Sequence, residues 1–227
     1  MTLGPTPPRF VVDVCGTLVA DDTTLGLLAL HFSVQPNRRW RLPLFRLLTA
    51  RNSPCRLLVA VLERLSGRHL LKLGLVRLLV GDRVDDLDAS ARRYANWLLA
   101  ERRVASVWAV LDDAAPERAV VLASASLEPV VAALAKVMGA RYVASQLEHH
   151  AGRLTGRYRR DLTGLKLEAL RETCGPELFD GGYVAISDNL TDRGLLAGAS
   201  QAYVVLHRES HRKRWSGTQA TFLKLDP

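Results

Sequence analysis

Four side chains that could take part in phosphoryl chemistry stand where predicted strands end or a helix begins. Asp13 follows the first strand-like run, Ser124 and Asp188 each follow a later one, and Lys166 begins a helix after a Thr-Gly pair. Ligands of open α/β sheets bind beyond the carboxyl ends of the strands, so we expect these four side chains to meet at one edge of a sheet.

Together these residue types are suited to the transfer of a phosphoryl group. The carboxylates of Asp13 and Asp188 can bind Mg²⁺, which prefers oxygen ligands and completes its shell with water and phosphate oxygens. The hydroxyl of Ser124 and the ammonium of Lys166 can bind the phosphoryl oxygens as their charge shifts during reaction. Each residue alone could be a helix cap, a turn residue or a surface lysine. Their ordered coincidence favours the functional interpretation.

The elements that must position these residues alternate between strand and helix on either side of a long helical block. The alternation predicts an α/β fold, with a parallel sheet flanked by helices. From about residue 22 to residue 115 apolar residues repeat at helical spacing and no strand pattern recurs. A hairpin or loop is expected at residues 146–158. Strands are predicted at 9–14, 118–123, 183–187 and 202–206, and helices at 127–138, 163–173 and 191–197.

The segment Asp13-Val14-Cys15-Gly16-Thr17-Leu18 resembles the first motif of the haloacid dehalogenase superfamily, an Asp-x-Asp-Gly-Thr run that supplies a nucleophile. Ser124 and Lys166 match the second and third motifs, and the segment from Asp188 to Asp192 resembles the fourth. Residues 148–166 are similar to the phosphoserine-phosphatase-like subgroup, which carries a helical cap between motifs one and two. The resemblance spans residues 9 to about 206. It implies a Rossmann-like core of residues 1–20 and 116–227, with an all-helical cap at 21–115.

The resemblance also implies a role for each matched residue. Asp13 would be the covalent nucleophile of a Mg²⁺-dependent phosphatase, and would bind the metal together with Asp188 and the backbone carbonyl of Cys15. Asp192 would lie behind these ligands. The implied phosphate-binding positions are Gly16, Thr17, Ser124, Ala125, Lys166 and Asn189.

Cys15 departs from the family pattern. Most phosphatases of the superfamily have a second aspartate at this position, which protonates the leaving group and then activates water. A thiol, with a pKa of about 8.5, is a poor substitute. Three outcomes stay open: a phosphatase that obtains its acid elsewhere or needs little, a phosphotransferase with another acceptor, or a protein that binds phosphorylated ligands without turnover. Cys15 as a nucleophile is disfavoured, since no histidine partner is evident and a small buried residue is the simpler explanation.

The net charge of +8 is concentrated in one part of the chain, because residues 31–80 hold nine arginines and one lysine against the single acid Glu63. Such a block attracts an anionic partner. Trp40 and Phe45 among these arginines suit an anionic membrane surface, so a phospholipid, lipid-linked or sugar phosphate is a candidate substrate. Alternatively, the leucines build the cap's core or a dimer contact and the arginines are solvated. Nucleic acid is disfavoured, because no recognised motif is present. The oligomeric state is not predicted.

The number and spacing of the cysteines, together with the hydropathy of the chain, indicate the cellular compartment in which we expect the protein. Cys15, Cys55 and Cys174 are odd in number and far apart, which fits neither a disulfide framework nor a zinc site. The first nine residues lack the apolar segment of a secretory signal, and no uncharged apolar stretch reaches the roughly 18 residues that span a bilayer. We expect a cytoplasmic protein, with peripheral membrane contact through residues 31–80 as the alternative.

Overall fold

The computed structural model describes residues 9–50, 52–67, 69–114, 119–180 and 182–225. A seven-stranded sheet runs through the molecule in the order β4-β3-β2-β1-β5-β6-β7. The strand that precedes Asp13, β1, therefore lies in the middle of the sheet. The strands are β1 (Arg9–Val12), β2 (Ala119–Leu127), β3 (Arg141–His150), β4 (Arg153–Arg160), β5 (Val184–Ser187), β6 (Gln201–Leu206) and β7 (Thr221–Lys224).

All neighbouring strands pair in parallel except β3 and β4, which form an antiparallel hairpin. The apolar run Phe10-Val11-Val12 is buried throughout, as expected of a strand covered on both faces. Three helices connect the strands of the second half: α7 (Glu128–Met138), α8 (Lys166–Cys174) and α9 (Arg193–Ala197). The predicted α/β class with a mostly parallel, helix-flanked sheet is confirmed.

Among the described residues between β1 and β2 there are six α-helices, and they form the helical block that the sequence predicts. They are α1 (Thr23–Val34), α2 (Arg41–Thr49), α3 (Pro54–Ser66), α4 (Leu70–Arg77), α5 (Val84–Glu101) and α6 (Ala105–Asp112). Leu28 of α1 and Leu98 of α5 belong to the same apolar cluster as Leu134 of α7. The division into a core and a cap at residues 20/21 and 115/116 stays a prediction, and residues 115 and 116 lie outside the described part of the chain.

The strand predicted at residues 118–123 differs from β2 in two ways. Its first residue, Arg118, lies outside the described residues, and the strand continues past Ala123 to Leu127. Ser124 therefore lies within the strand and not after it. The strand extends because the small residues at 124–126 continue to run beside β3. The register of this pairing is irregular, since Ala123 pairs with Val143 and Leu127 pairs with Ser145.

The chain after β6 ends in a further edge strand of the sheet. Residues Glu209–Trp215 form a short 3-10 helix, and the buried ring of Trp215 anchors it. The chain then forms β7, which pairs with β6. β7 has only four residues, too few for a clear period-two pattern, and the sequence analysis missed it.

A buried polar cluster ties three parts of the helical block together around Asp82, whose side chain is 2% exposed. Nη1 of Arg41 donates to both Asp82 oxygens at 3.0 and 2.9 Å. Nε of Arg38 lies 2.5 Å from Oδ1 of Asp82, and Nε2 of His31 lies 3.3 Å from Oδ2. Nδ1 of His31 lies 2.9 Å from the hydroxyl of Ser90, which joins α5 to the cluster. Helices α1, α2 and α5 are thus held by one carboxylate.

The lengths and hydropathies of the described helices do not match those of membrane-spanning helices. None of them is long and apolar enough to cross a bilayer.

Candidate active site

Asp13 occupies the carboxyl end of the central strand. Its backbone N–H donates to the carbonyl of Ile186 at 2.9 Å, so the pairing of β1 with β5 extends to this residue. The backbone N–H of Val14 donates to Oδ1 of the carboxylate at 2.7 Å. Oδ2 lies 2.8 Å from Nζ of Lys166. The side chain is 5% exposed, so the carboxylate is held at a fixed position among these donors.

The loop after Asp13 must turn sharply beneath other site residues. Gly16 has φ +72°, a conformation that favours glycine. A Cβ atom at this position would lie 2.5 Å from Oδ2 of Asp188 and 2.9 Å from Nε2 of His207. The glycine is therefore required both by the turn and by the close approach of the two side chains.

Lys166 is the buried cation of the site and is only 4% exposed. It is the first residue of α8, and its Nζ lies 2.8 Å from Oδ2 of Asp13 and 2.8 Å from Oδ2 of Asp192. Burial opposes its charge, but the two carboxylates outweigh burial and raise the pKa of Lys166. The hydroxyl of Ser187 donates to the same Asp192 oxygen at 2.7 Å, and the predicted supporting role of Asp192 stays a prediction.

Burial raises the pKa of Asp13 well above its usual range. Lys166 opposes this shift, while Asp192 and Asp188 add to it by repulsion between like charges. The ionised form of Asp13 therefore depends on neighbouring positive charge. Lys166 supplies one such charge, and a divalent cation shared with Asp188 would supply a second.

Asp188 follows β5 and is oriented by two partners. The hydroxyl of Thr17 donates to Oδ1 at 3.0 Å, and the backbone N–H of Asp188 in turn lies 2.9 Å from that hydroxyl oxygen. Nε2 of His207 lies 2.8 Å from Oδ2. Thr17 is fully buried. It connects the loop after β1 to the end of β5, so its hydroxyl fixes the Asp188 carboxylate relative to the loop that follows Asp13.

The donor set at this edge fits Mg²⁺. Within the described ranges no group of three or more His, Cys, Asp or Glu side chains is arranged to hold a metal ion. Asp13 and Asp188 instead offer two carboxylates, and the Cys15 carbonyl stays a predicted third oxygen ligand. Each carboxylate keeps unused lone pairs beside the contacts described above. Such a partial oxygen set is typical of Mg²⁺ sites that take their remaining ligands from water and phosphate.

Ser124 and Ala125 lie on β2 beside the end of β1. Leu122 pairs with Val12, so Ser124 stands two residues further toward the edge at which Asp13 lies. The Ser124 hydroxyl is buried and accepts from the backbone N–H of Ser126 at 3.1 Å. The carbonyl of Ala125 accepts from Nζ of Lys72 at 3.0 Å. Their predicted contacts with phosphate stay predictions, as do those of Gly16, Thr17 and Lys166.

Asn189 begins the short 3-10 helix Leu190–Asp192. Its Oδ1 accepts from the backbone N–H of Thr191 at 3.1 Å and from the Thr191 hydroxyl at 3.0 Å. The side chain therefore caps this turn, while the predicted phosphate contact of Asn189 stays a prediction.

The surroundings of the Cys15 thiol do not suit it to proton transfer. Sγ donates to the backbone carbonyl of Asp21 at 3.2 Å. Burial raises the pKa of this thiol, and the nearby Asp22 carboxylate raises it further. A thiol with a raised pKa stays protonated and is a weak acid, so Cys15 is suited neither to donate a proton nor to act as a thiolate nucleophile.

Two site residues escaped the sequence analysis, His207 and Lys72. His207 follows β6 at the same edge as Asp13 and Asp188, so the rule of polar residues at strand ends could have found it. Lys72 of α4 reaches from the helical block to the sheet edge, where Nζ lies 2.5 Å from Oδ1 of Asp161 and 2.8 Å from the hydroxyl of Thr163. The sequence gives only a weak indication that Lys72 belongs to the site, because it is a single lysine within an arginine-rich block.

The sequence of the chain matches the model of a known protein family. A family model described as haloacid dehalogenase-like hydrolase matches residues 10–197. No curated protein matches the chain.

Solved structures share the fold at low sequence identity. A protein of unknown function from Bordetella pertussis Tohama I is 17% identical with a TM-score of 0.70, and the alignment covers 97% of this chain and 100% of that one. A phosphoserine phosphohydrolase-like protein from Francisella tularensis subsp. tularensis SCHU S4 is 14% identical with a TM-score of 0.59, covering 95% and 94%. A phosphoserine phosphatase solved as a phospho-aspartyl intermediate analogue is 16% identical with a TM-score of 0.53, covering 97% and 95%.

The family model spans most of the chain, from β1 to the end of α9, and therefore includes all four predicted motifs. The fold resembles that of the phosphoserine phosphatases, in agreement with the predicted subgroup. The chain belongs to the haloacid dehalogenase-like hydrolase family.

Proposed function

We propose that this phosphoric monoester hydrolase uses Asp13 as a covalent nucleophile and Mg²⁺ as its cofactor. The observation that carries the proposal is the buried Asp13–Lys166–Asp192 cluster beneath the end of the central strand, with Asp188 beside it. A structure of similar fold described as a phospho-aspartyl intermediate analogue supports the same chemistry. Mg²⁺ bound by Asp13, Asp188 and the Cys15 carbonyl would neutralise charge on the phosphoryl group.

The proposed reaction has two displacements at phosphorus. In the first, a carboxylate oxygen of Asp13 attacks phosphorus, the ester P–O bond breaks, and the leaving oxygen takes a proton from water to depart as the alcohol. In the second, water attacks phosphorus of the aspartyl-phosphate and gives up a proton to solvent, the bond between phosphorus and the Asp13 oxygen breaks, and inorganic phosphate is released with Asp13 regenerated. Lys166 would hold a phosphoryl oxygen in both steps while Asp192 holds Lys166. Ser124 would donate to a second oxygen.

A panel of phosphate monoesters, assayed with Mg²⁺ and with EDTA, tests the proposal. The panel should contain phosphoserine, sugar phosphates, a phosphatidic acid and a polyprenyl phosphate, because the sequence leaves these leaving groups open. We expect Mg²⁺-dependent release of phosphate from at least one member. Full activity in EDTA would overturn the metal assignment.

Phosphotransfer to an acceptor other than water is the second candidate, and Cys15 is the observation that favours it. With a protonated thiol where a carboxylate would activate water, the aspartyl-phosphate is expected to hydrolyse slowly. The panel should therefore be repeated with alcohol acceptors. Transfer to an alcohol that exceeds hydrolysis would favour the transferase, and binding of phosphate esters without turnover would favour a ligand-binding role.

Replacing Cys15 by aspartate is expected to speed hydrolysis. The carboxylate would restore a group able to protonate the alcohol and then activate water, contributions worth about 10²-fold or more in rate. We expect at least about a tenfold rise in turnover, measured as phosphate release under saturating substrate. Cys15→Asn is the matched control, with a similar size and no ionisable group. Equal rates in the two variants would show that proton transfer at this position does not limit turnover.

Replacing His207 by alanine is expected to weaken the response to Mg²⁺. Its imidazole orients Asp188 at 2.8 Å, and loss of such a supporting partner typically lowers metal affinity by about 10- to 100-fold. Titration calorimetry with Mg²⁺ and the Mg²⁺ dependence of activity measure the effect. His150→Ala, at the exposed end of β3, is the control. An unchanged Mg²⁺ affinity in His207→Ala would contradict a positioning role.

A further inference from the structure

Helix α3 presents an uncovered apolar face. None of its thirteen residues, all of them described, is buried. Five apolar side chains recur at helical spacing on one side of the helix, and we call them the α3 ridge: Leu57, Leu58, Val61, Leu62 and Leu65. Their exposure runs from 44% at Leu62 to 79% at Leu65. A continuous exposed apolar patch of this kind marks an interaction surface.

Neighbouring helices add to the apolar character of this surface. Helices α2 and α4 both contact α3. Leu44 and Leu47 of α2 and Leu73 of α4 are exposed, and Trp40, just before α2, is 67% exposed. Tryptophan with aliphatic residues on one side of amphipathic helices is the composition of surfaces that lie in the interfacial region of a bilayer.

The charges around the α3 ridge are almost all positive. Arg46, Arg64 and Arg77 are exposed on α2, α3 and α4. The one acid in this part of the sequence, Glu63, is engaged within the block, where its Oε1 accepts from the backbone N–H of Leu71 at 2.9 Å. Glu63 thus joins α3 to the first turn of α4 and does not offset the arginines at the surface. Exposed apolar residues flanked by arginines are complementary to an anionic lipid surface.

We propose that the α3 ridge docks the protein on the surface of an anionic membrane. A second copy of the chain is the competing occupant, and charge argues against it, because two-fold pairing through this face would bring two arginine-rich surfaces together. A bilayer instead offers both acyl chains for the ridge and phosphate groups for the arginines. This inference does not depend on the proposed reaction.

The position of α4 connects the docking surface with the active site. Leu73 and Arg77 are exposed. Lys72, which precedes Leu73 on the same helix, contacts the carbonyl of Ala125 and the carboxylate of Asp161. One short helix therefore joins the proposed membrane surface to the edge of the sheet where Asp13 lies. A substrate anchored in the same membrane would approach the site from that side.

Co-sedimentation with vesicles tests the docking surface. We expect the full chain to bind vesicles of phosphatidylcholine with phosphatidylglycerol, to bind pure phosphatidylcholine much more weakly, and to lose binding as salt is raised. Leu58→Ser/Leu65→Ser should lower binding at least about tenfold, since two leucines are withdrawn from the acyl region. Val137→Ser, an equally exposed apolar position on α7, is the control and should bind like the wild type.

Charge is tested separately from apolar contact. Arg46→Gln/Arg64→Gln should reduce binding to anionic vesicles. Arg93→Gln/Arg159→Gln removes the same number of positive charges from positions outside residues 31–80 and should reduce binding less. Hydrolysis of a soluble monoester without vesicles reports separately on the active site and should be unchanged in all these variants. Equal binding by the wild type and Leu58→Ser/Leu65→Ser, or no binding at low salt, would overturn the proposal. A dimer in light scattering that Leu65→Ser dissociates would assign the ridge to a second copy instead.

Discussion

Replacing Asp13 by asparagine is expected to lower kcat/KM on the best substrate of the panel by at least about 10³-fold, because the amide cannot form the covalent phosphoryl bond. The change keeps the size of the side chain. The measurement is phosphate release at saturating Mg²⁺. Asp85→Asn is the matched control, since Asp85 is 81% exposed and forms only a surface pair with Arg83. Activity in Asp13→Asn close to that of the control would exclude Asp13 as the nucleophile.

The same substitution is expected to stabilise the metal-free protein at neutral and alkaline pH. Burial raises the pKa of Asp13, so the folded state holds this proton at pH values where the unfolded state has released it. Stability therefore falls as pH rises from the ordinary carboxyl pKa of about 3.9 to the raised folded value. Asparagine removes this cost, and a gain of about 1–2 kcal/mol is expected at pH 8. No gain at pH 8 relative to pH 4 in urea unfolding would contradict the raised pKa.

Replacing Asp82 by alanine is expected to destabilise the fold by about 3–5 kcal/mol, because a buried guanidinium would lose its carboxylate. Arg41 is 6% exposed, and without Asp82 it keeps contacts with the backbone carbonyls of Leu78 and Val80. Burial already lowers the pKa of Arg41, and Asp82 is what opposes that shift. The free energy of unfolding in urea measures the loss.

Asp85→Ala is the control for the Asp82 experiment, since a solvent-exposed pair with Arg83 is worth about 0–1 kcal/mol. A second variant, Arg41→Met with Asp82→Leu, removes both charges. It should recover part of the stability lost in Asp82→Ala, because no unpaired charge is left buried. A loss below about 1 kcal/mol in Asp82→Ala would show that the arginines and His31 find other partners.

The chemistry-bearing residues could be found from the sequence because each stands next to a recognisable element. Asp13, Asp188 and Lys166 follow apolar runs or a Thr-Gly turn, and local pattern suffices to place such positions at the edge of a parallel sheet. The helical block was predicted for the same reason, since leucine spacing is a local signal. The family resemblance added the order of the motifs.

Contacts between residues far apart in the chain could not be predicted from the sequence. The pairing of His207 with Asp188 depends on β6 lying beside β5, and the reach of Lys72 to Ala125 depends on how α4 packs over the sheet. Ser124 was placed after its strand, because the extension of β2 follows from pairing with β3 and not from the local run. The uncovered face of α3 was also not predictable, since apolar spacing does not say whether a partner helix covers it.

The most direct test of the central claim is to identify the phosphorylated residue. The protein should be mixed with substrate and Mg²⁺, quenched in acid, reduced with borohydride and digested, and the peptides examined by mass spectrometry. We expect that Asp13 is converted to homoserine, that this product is absent without substrate, and that Cys15 stays unmodified. A phosphorylated residue other than Asp13, or turnover with no trapped aspartate under any quench time, would contradict the account.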